Sequence, residues 1–340
     1  MVRVLVVDDS PTARGLLVEI LRSDADLEVV AEAVNGREAI EMTKLHQPDV
    51  VTMDLQMPVM DGFEATRAIM AERPTPIVVV TASTSTRDVE TSMRALRLGA
   101  LNVLAKPVGL NAPDFDETCR HLVQTVKLMA AVKVVRRREQ VVENGNVKPR
   151  PRLRRRVVVI AASTGGPAAL SRILGALRPD FPLPVLVAQH LSPGFVDGFA
   201  SWLDSMSPLR VRVARDGDPI EPGTVLVAPD DGHMLVGERG LVTISRRAPV
   251  DGFRPSATLL FSSAAGAFGE RTVAVILTGM GRDGVGGLNA VRAAGGLVAV
   301  QDEASSVVFG MPGAAVAAGL AHDVLTLNAI APYLEEIAAP

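Results

Sequence analysis

Val157-Val158-Val159-Ile160-Ala161-Ala162-Ser163-Thr164-Gly165-Gly166-Pro167 runs from β-branched residues through a hydroxyl and two glycines into a proline. A short, wholly apolar run of this kind reads as a strand buried on both faces, as in a parallel sheet. Apolar residues recur with helical spacing after Pro167, and proline suits the first turn of a helix. Strand, glycine turn and helix together predict an α/β fold with the turn at the carboxyl edge of the sheet. A serine hydroxyl at that turn is well placed for nucleophilic attack. The glycines let backbone approach a substrate, and unpaired N–H groups there stabilise negative charge on an attacked oxygen. The same geometry cradles a phosphate, so this segment alone leaves both readings open.

Two more apolar runs end in polar residues. Pro184-Val185-Leu186-Val187-Ala188 leads into Gln189-His190, and Thr272-Val273-Ala274-Val275-Ile276-Leu277 leads into Thr278-Gly279-Met280-Gly281-Arg282-Asp283-Gly284. In an open parallel sheet the strand ends converge on one edge, which would bring Ser163, His190 and Asp283 together. A serine hydroxyl is a weak nucleophile until an imidazole takes its proton, and the imidazole needs a carboxylate to fix its tautomer. Taken singly, the histidine reads as a hydrogen-bonded surface residue and the aspartate as a helix cap. Their joint occurrence with Ser163 favours catalysis.

Ala162-Ser163-Thr164-Gly165-Gly166-Pro167, Gln189-His190, Arg254-Pro255-Ser256, Leu277-Thr278-Gly279-Met280-Gly281 with Asp283-Gly284, and Gln301-Asp302-Glu303 followed by Val307-Val308-Phe309-Gly310-Met311-Pro312 stand in this order across the second half. Together they resemble the chemotaxis protein-glutamate methylesterases. The resemblance implies a serine esterase acting on glutamate methyl esters of chemoreceptors, with Ser163 as nucleophile, His190 as general base and Asp283 as the orienting carboxylate. It also implies a backbone oxyanion donor at Met280, no cofactor for the ester chemistry, and glutamine deamidation by the same machinery. The chain departs from the family at His190-Leu191-Ser192, where His-Met-Pro is usual, and at Phe253, where His often precedes Arg-Pro-Ser. Asp230-Asp231 stand where Pro-Gly or Gly-rich residues are familiar. Altered substrate contacts and a reshaped neighbouring loop are the expected consequences.

The first half carries an independent signal. Val4-Leu5-Val6-Val7 ends in Asp8-Asp9 and Val50-Val51-Thr52-Met53 ends in Asp54, gathering three carboxylates at one sheet edge. Like charges that close need a cation, and Mg²⁺ commonly binds through a few carboxylates plus phosphate oxygens. Ile77-Val78-Val79-Val80 ends in Thr81 and Val103-Leu104-Ala105 in Lys106-Pro107, adding a hydroxyl and an ammonium. With Met57-Pro58 and Asp61-Gly62 after Asp54, the set resembles a response-regulator receiver domain. That resemblance makes Asp54 the phosphoacceptor, Asp8, Asp9 and Asp54 the Mg²⁺ ligands, and Thr81 and Lys106 phosphate contacts. A chemotaxis histidine kinase is then the phosphodonor. Val103 stands where an aromatic switch residue is common, so no rotating-ring relay is expected.

A chain of 340 residues with 48% hydrophobic residues is long for one core and suits two domains. The expected division is a receiver at 1–125, a basic linker at 126–155 and an esterase domain at 156–338. The receiver would be a five-stranded parallel, flavodoxin-like sheet, and the second domain a doubly wound α/β sheet. Arg and Lys crowd residues 131–156, opposed only by Glu139 and Glu143, and Asn144-Gly145-Asn146 and Pro149 break any helix there. That stretch reads as a solvated connector whose N-terminal part continues the last receiver helix, or as a docking segment for an acidic partner. No apolar run reaches membrane-spanning length and Met1-Val2-Arg3 enters a strand directly, so a cytoplasmic protein without membrane insertion is expected. A net charge of −3 gives no argument for nucleic acid. The single cysteine, Cys119, excludes an internal disulfide. A transcriptional regulator would need a DNA-reading helix-turn-helix, whereas the second half alternates strands and helices. A non-catalytic receptor-binding scaffold is the other alternative.

Overall fold

The apolar runs picked out above all become parallel strands in the computed structural model, which describes residues 1–82, 86–107, 115–132 and 157–339. Two units, Met1–Gln140 and Val141–Pro340, separate by their internal contacts. In the first, the order is β1 (Val2–Val7), α1 (Pro11–Arg22), β2 (Leu27–Ala33), α2 (Gly36–His46), β3 (Val50–Met53), α3 (Gly62–Glu72), β4 (Ile77–Thr81), α4 (Thr86–Leu98), β5 (Asn102–Ala105) and α5 (Phe115–Ala130). The sheet is ordered β2-β1-β3-β4-β5, every pair parallel. The chain leaves β1 towards β2 and then crosses back to β3, so a crevice opens over the carboxyl ends of β1 and β3, where open α/β sheets bind ligands.

Local chemistry sets the helix starts. Ser10, Asn35 and Asp61 each accept a backbone N–H of the first turn, and Pro11 takes the first helical position. α5 runs on to Ala130, past the boundary expected at 125, because Leu122, Thr125, Val126 and Met129 continue one buried stripe. Cys119 lies half-buried on this helix; burial, with nearby Asp116, pushes its thiol pKa up, away from a reactive thiolate. Nearly all of the basic linker, residues 133–156, lies outside the described residues.

The second unit contains β6 (Val157–Ala162), α6 (Gly166–Leu174), β7 (Val185–Gln189), α7 (Val196–Asp204), β8 (Arg210–Val213), β9 (Thr224–Val227), β10 (His233–Val236), β11 (Val242–Ser245), α8 (Ala257–Phe268), β12 (Thr272–Ile276), α9 (Val285–Ala293), β13 (Leu297–Gln301), α10 (Met311–Ala317), β14 (Asp323–Leu325) and α11 (Leu327–Ala338). Its seven-stranded parallel sheet is ordered β14-β13-β12-β6-β7-β9-β8, with β6 central and wholly buried. From β6 the chain proceeds outward through β7, then returns to β12 on the other side, so the loops after β6, β7 and β12 share the switch crevice. α8 packs Ala257, Leu260 and Phe261 into the core with Val159 and Ala161 of β6. The antiparallel pair β10–β11 was not foreseen from the sequence. Its strands have four residues each, and β10 is buried at His233, Met234 and Val236, so it shows no alternation to read. Among the described residues no helix is long and apolar enough to cross a membrane.

Candidate functional site

The register of the second sheet assembles the first site. Ala162 of β6 pairs with Gln189 of β7, so Ser163 and His190 leave adjacent strands side by side. The Gln189 amide fixes both: its Nε2 donates to the Ser163 carbonyl and to the His190 carbonyl, each at 2.8 Å. On the other flank the Ser163 N–H donates to the Thr278 carbonyl after β12 at 3.1 Å. Gly279 is pressed against the serine, since a Cβ there would lie 2.8 Å from Ser163 Cβ and 2.5 Å from Met311 Sδ. Ser163 is half-buried, and the next N–H in the β12 loop, that of Met280, donates to no acceptor among the described residues.

His190 Nε2 lies 3.0 Å from Asp283 Oδ2, while its buried Nδ1 has no hydrogen-bond partner among the described residues. With Nε2 committed to the carboxylate, Nδ1 is the nitrogen free to take a proton. Asp283 caps a helix, but not the one it precedes in sequence. Gly284 holds the N-cap position of α9, and the carboxylate instead accepts Ala257 N–H at 2.7 Å and Thr258 N–H at 3.0 Å at the start of α8. The Ser256 hydroxyl and the Gly284 N–H also donate to Oδ1, at 3.1 and 2.8 Å. Ser256 is held in turn by His233, whose Nδ1 accepts its N–H at 3.1 Å.

Burial by itself would raise the Asp283 pKa, but the hydrogen bond and attraction from His190, with the Ala257 and Thr258 N–H groups, outweigh it and lower the value from 3.8 to about 2. Because the folded value lies below the unfolded one, this stabilisation is complete above pH ~4 and is lost as the pH falls through ~2. The stability advantage of wild type over Asp283→Asn should therefore shrink by about 2 kcal/mol over that fall. Urea unfolding followed by Trp202, the sole tryptophan and a residue of the second unit, measures it. An advantage that stays constant with pH would contradict the lowered value.

The departures from the family pattern also find places. Phe253 stacks on the His190 ring, centroids 4.3 Å apart and planes 11° from parallel. Asp230 Oδ2 accepts the Gly194 N–H at 2.5 Å, tying down the loop that follows His190-Leu191-Ser192. Asp231 pairs with Arg246 at the surface. Phe253, Ser256, Gln189 and His233 all support the site, and nothing in their local sequence assigned them those roles.

The second cluster lies in the first unit. Asp8, Asp9 and Asp54 present carboxylate oxygens that all lie within 4.8 Å of one another, with Asp9 exposed and the other two buried. Lys106 Nζ reaches Asp54 Oδ2 at 2.6 Å and Asp8 Oδ2 at 2.7 Å. Burial pushes the Asp8 pKa up, and the like charge of Asp54 adds to it against the pull of Lys106. For Lys106, burial works to lower the pKa, but the two carboxylates prevail and it is raised. Asp54 Oδ1 accepts the Leu55 N–H at 2.7 Å. Thr81 is buried at the end of β4, where its carbonyl accepts the Lys106 N–H at 2.7 Å. Val103 is buried in β5 as a small aliphatic core residue. Three carboxylates with one exposed member form a donor set that fits Mg²⁺, which prefers oxygen ligands and retains waters.

The CheB methylesterase family model matches residues 158–334, and the response regulator receiver domain model matches residues 4–112. The chain is 54% identical to protein-glutamate methylesterase/protein-glutamine glutaminase 4 of Myxococcus xanthus, over 98% of this chain and 96% of that one. It is 54% identical to protein-glutamate methylesterase/protein-glutamine glutaminase 3 of Anaeromyxobacter dehalogenans, over 98% of each. The crystal structure of the Thermotoga maritima CheB methylesterase catalytic domain superposes with a TM-score of 0.53 at 39% identity, covering 54% of this chain and 100% of that one.

Proposed function

This chain belongs to the CheB methylesterase family, and from that premise we propose that it hydrolyses glutamate γ-methyl esters on chemoreceptors under the control of a phosphoaspartate in its receiver domain. The observation that carries the reading is the hydrogen bond between His190 and buried Asp283 beside Ser163 at the switch crevice. Ser163 Oγ attacks the ester carbonyl while His190 Nδ1 takes its proton. The carbonyl electrons move onto oxygen, where the Met280 N–H supplies one hydrogen bond. When the tetrahedral adduct collapses, the C–O bond to the methoxy group breaks and His190 returns the proton, releasing methanol. Water then attacks the acyl-serine with His190 as base, giving glutamate and free Ser163. An amide enters the same sequence with ammonia as the leaving group, which accounts for glutaminase activity.

In the receiver, the Asp54 carboxylate attacks the phosphorus of a phosphohistidine on a chemotaxis histidine kinase, and the P–N bond breaks. Asp8, Asp9 and Asp54 would hold Mg²⁺, which would supply positive charge to the phosphoryl oxygens. Lys106 and Thr81 balance the phosphate once it is on Asp54, and the new charge shifts the receiver between two states. Action on receptors and phosphate uptake from such a kinase would take place in the cytoplasm.

If the unphosphorylated receiver holds the esterase inactive about 99% of the time, phosphorylation raises turnover by up to roughly a hundredfold. A fragment beginning near Arg154 should match the phosphorylated full-length protein. Methanol release from methylated receptor, measured for the fragment and for both forms of the full chain, tests this. A fragment no faster than the unphosphorylated protein refutes inhibition by the receiver, and no turnover in any form refutes the esterase.

A further inference from the structure

We propose that Phe253 is a positioning residue for the general base: its ring holds the His190 imidazole in the one orientation that keeps Nε2 on Asp283 and presents Nδ1 to the serine proton. This rests on the assignment of His190 as base. The terminal torsion of a histidine is broad, and a single hydrogen bond fixes one ring atom while leaving the plane free to tilt about it. The bond to Asp283 is of this kind. The stacked ring at 4.3 Å and 11° supplies the missing constraint. An aromatic face also suits the imidazolium formed when Nδ1 takes a proton, and phenylalanine offers no polar atom to compete for that nitrogen.

The backbone is built to deliver this ring. Val250 and Phe253 exchange both of their backbone hydrogen bonds, at 3.1 and 2.9 Å, around Asp251 and Gly252. Both turn residues are left-handed, with φ of 51° and 84°, as a type I′ turn requires and as aspartate followed by glycine tolerates. Three residues on, the Ser256 hydroxyl donates to Asp283 Oδ1. One short segment thus holds the imidazole at Phe253 and the carboxylate at Ser256.

The test compares kcat and KM of the full-length, phosphorylated protein on methylated receptor. Phe253→Ala should lower kcat about tenfold while KM stays within about threefold, since the lost interaction orients the base rather than binding substrate. Phe253→Leu keeps apolar volume without a planar face and should remain low. Phe253→His restores a flat ring with no para substituent to press on Gly281, where a Cβ would lie 3.7 Å from Phe253 Cζ. Assayed near pH ~8, where an ordinary imidazole is neutral, it should recover most of the kcat. In NMR spectra, the ring-current shift of the His190 carbon-bound protons should vanish in Phe253→Ala and Phe253→Leu and persist in Phe253→His. Wild-type kcat in Phe253→Ala, or rescue by leucine equal to that by histidine, overturns the positioning role. His190→Ala assayed in parallel separates the two claims: turnover in that variant overturns the assignment of the base, whereas its inactivity beside an unaffected Phe253→Ala overturns only the role of Phe253.

Discussion

Ser163→Ala should reduce ester hydrolysis by roughly 10³-fold or more without unfolding the protein. Among the described residues the half-buried Ser163 makes no side-chain hydrogen bond, and the contacts that pin residue 163 run through its backbone N–H and carbonyl. Loss of Oγ therefore removes the nucleophile and little else. His190→Ala should cost about as much, and the double variant hardly more than either alone, because the residues act as a unit. Asp283→Asn should lose less activity but more stability. Oδ1 accepts two N–H groups and the Ser256 hydroxyl, and Oδ2 accepts Ala257 N–H, so an amide nitrogen meets a donor in either orientation. Methanol release and thermal unfolding, measured on the same samples, separate the two effects. A folded Ser163→Ala protein with wild-type turnover would remove serine catalysis from consideration. So would a strict metal requirement in the isolated second unit, since none of the roles given to Ser163, His190 and Asp283 needs a cation.

The sequence was most informative at strand ends. Short apolar runs such as Val157–Ile160 and Val4–Val7 read as strands buried on both faces, as in a parallel sheet, and a parallel sheet brings the residues after its strands to one edge. Ser163, His190, Asp8, Asp54 and Lys106 were all legible in that way. What the sequence concealed depends on contacts between distant segments. Local rules make Asp283 a cap for the helix that follows it, yet it lies against the start of α8, whose N-cap residue Ser256 is far off in the chain. Phe253 read only as a departure from a family pattern, since ring stacking on His190 leaves no trace in spacing or composition. The β10–β11 pair was hidden for a different reason: four-residue strands carry too few residues for a period to emerge. The boundary expected at 125 falls inside α5, whose buried stripe continues through Met129.

Asp54→Asn should abolish phosphoryl uptake from a small-molecule donor in the presence of Mg²⁺, while Asp9→Ala should only impair it. The two carboxylates do different work. Asp54 is buried and already oriented, with Oδ1 on the Leu55 N–H and Oδ2 on Lys106, and an amide cannot form the acyl phosphate. Asp9 is the exposed member of the cluster and is not joined to Lys106, so its loss weakens cation binding while the nucleophile remains. Removing the Asp54 charge also frees Lys106 to pair with Asp8 alone, which keeps the buried ammonium compensated, so the variant should fold. The measurement is incorporation of labelled phosphate, with far-ultraviolet circular dichroism to establish folding. Stable labelling of Asp54→Asn would mean that another residue is the acceptor. Equal losses in Asp9→Ala and Asp54→Asn, with excess Mg²⁺ failing to rescue Asp9→Ala, would mean that Asp9 acts in the transfer itself and not through the cation.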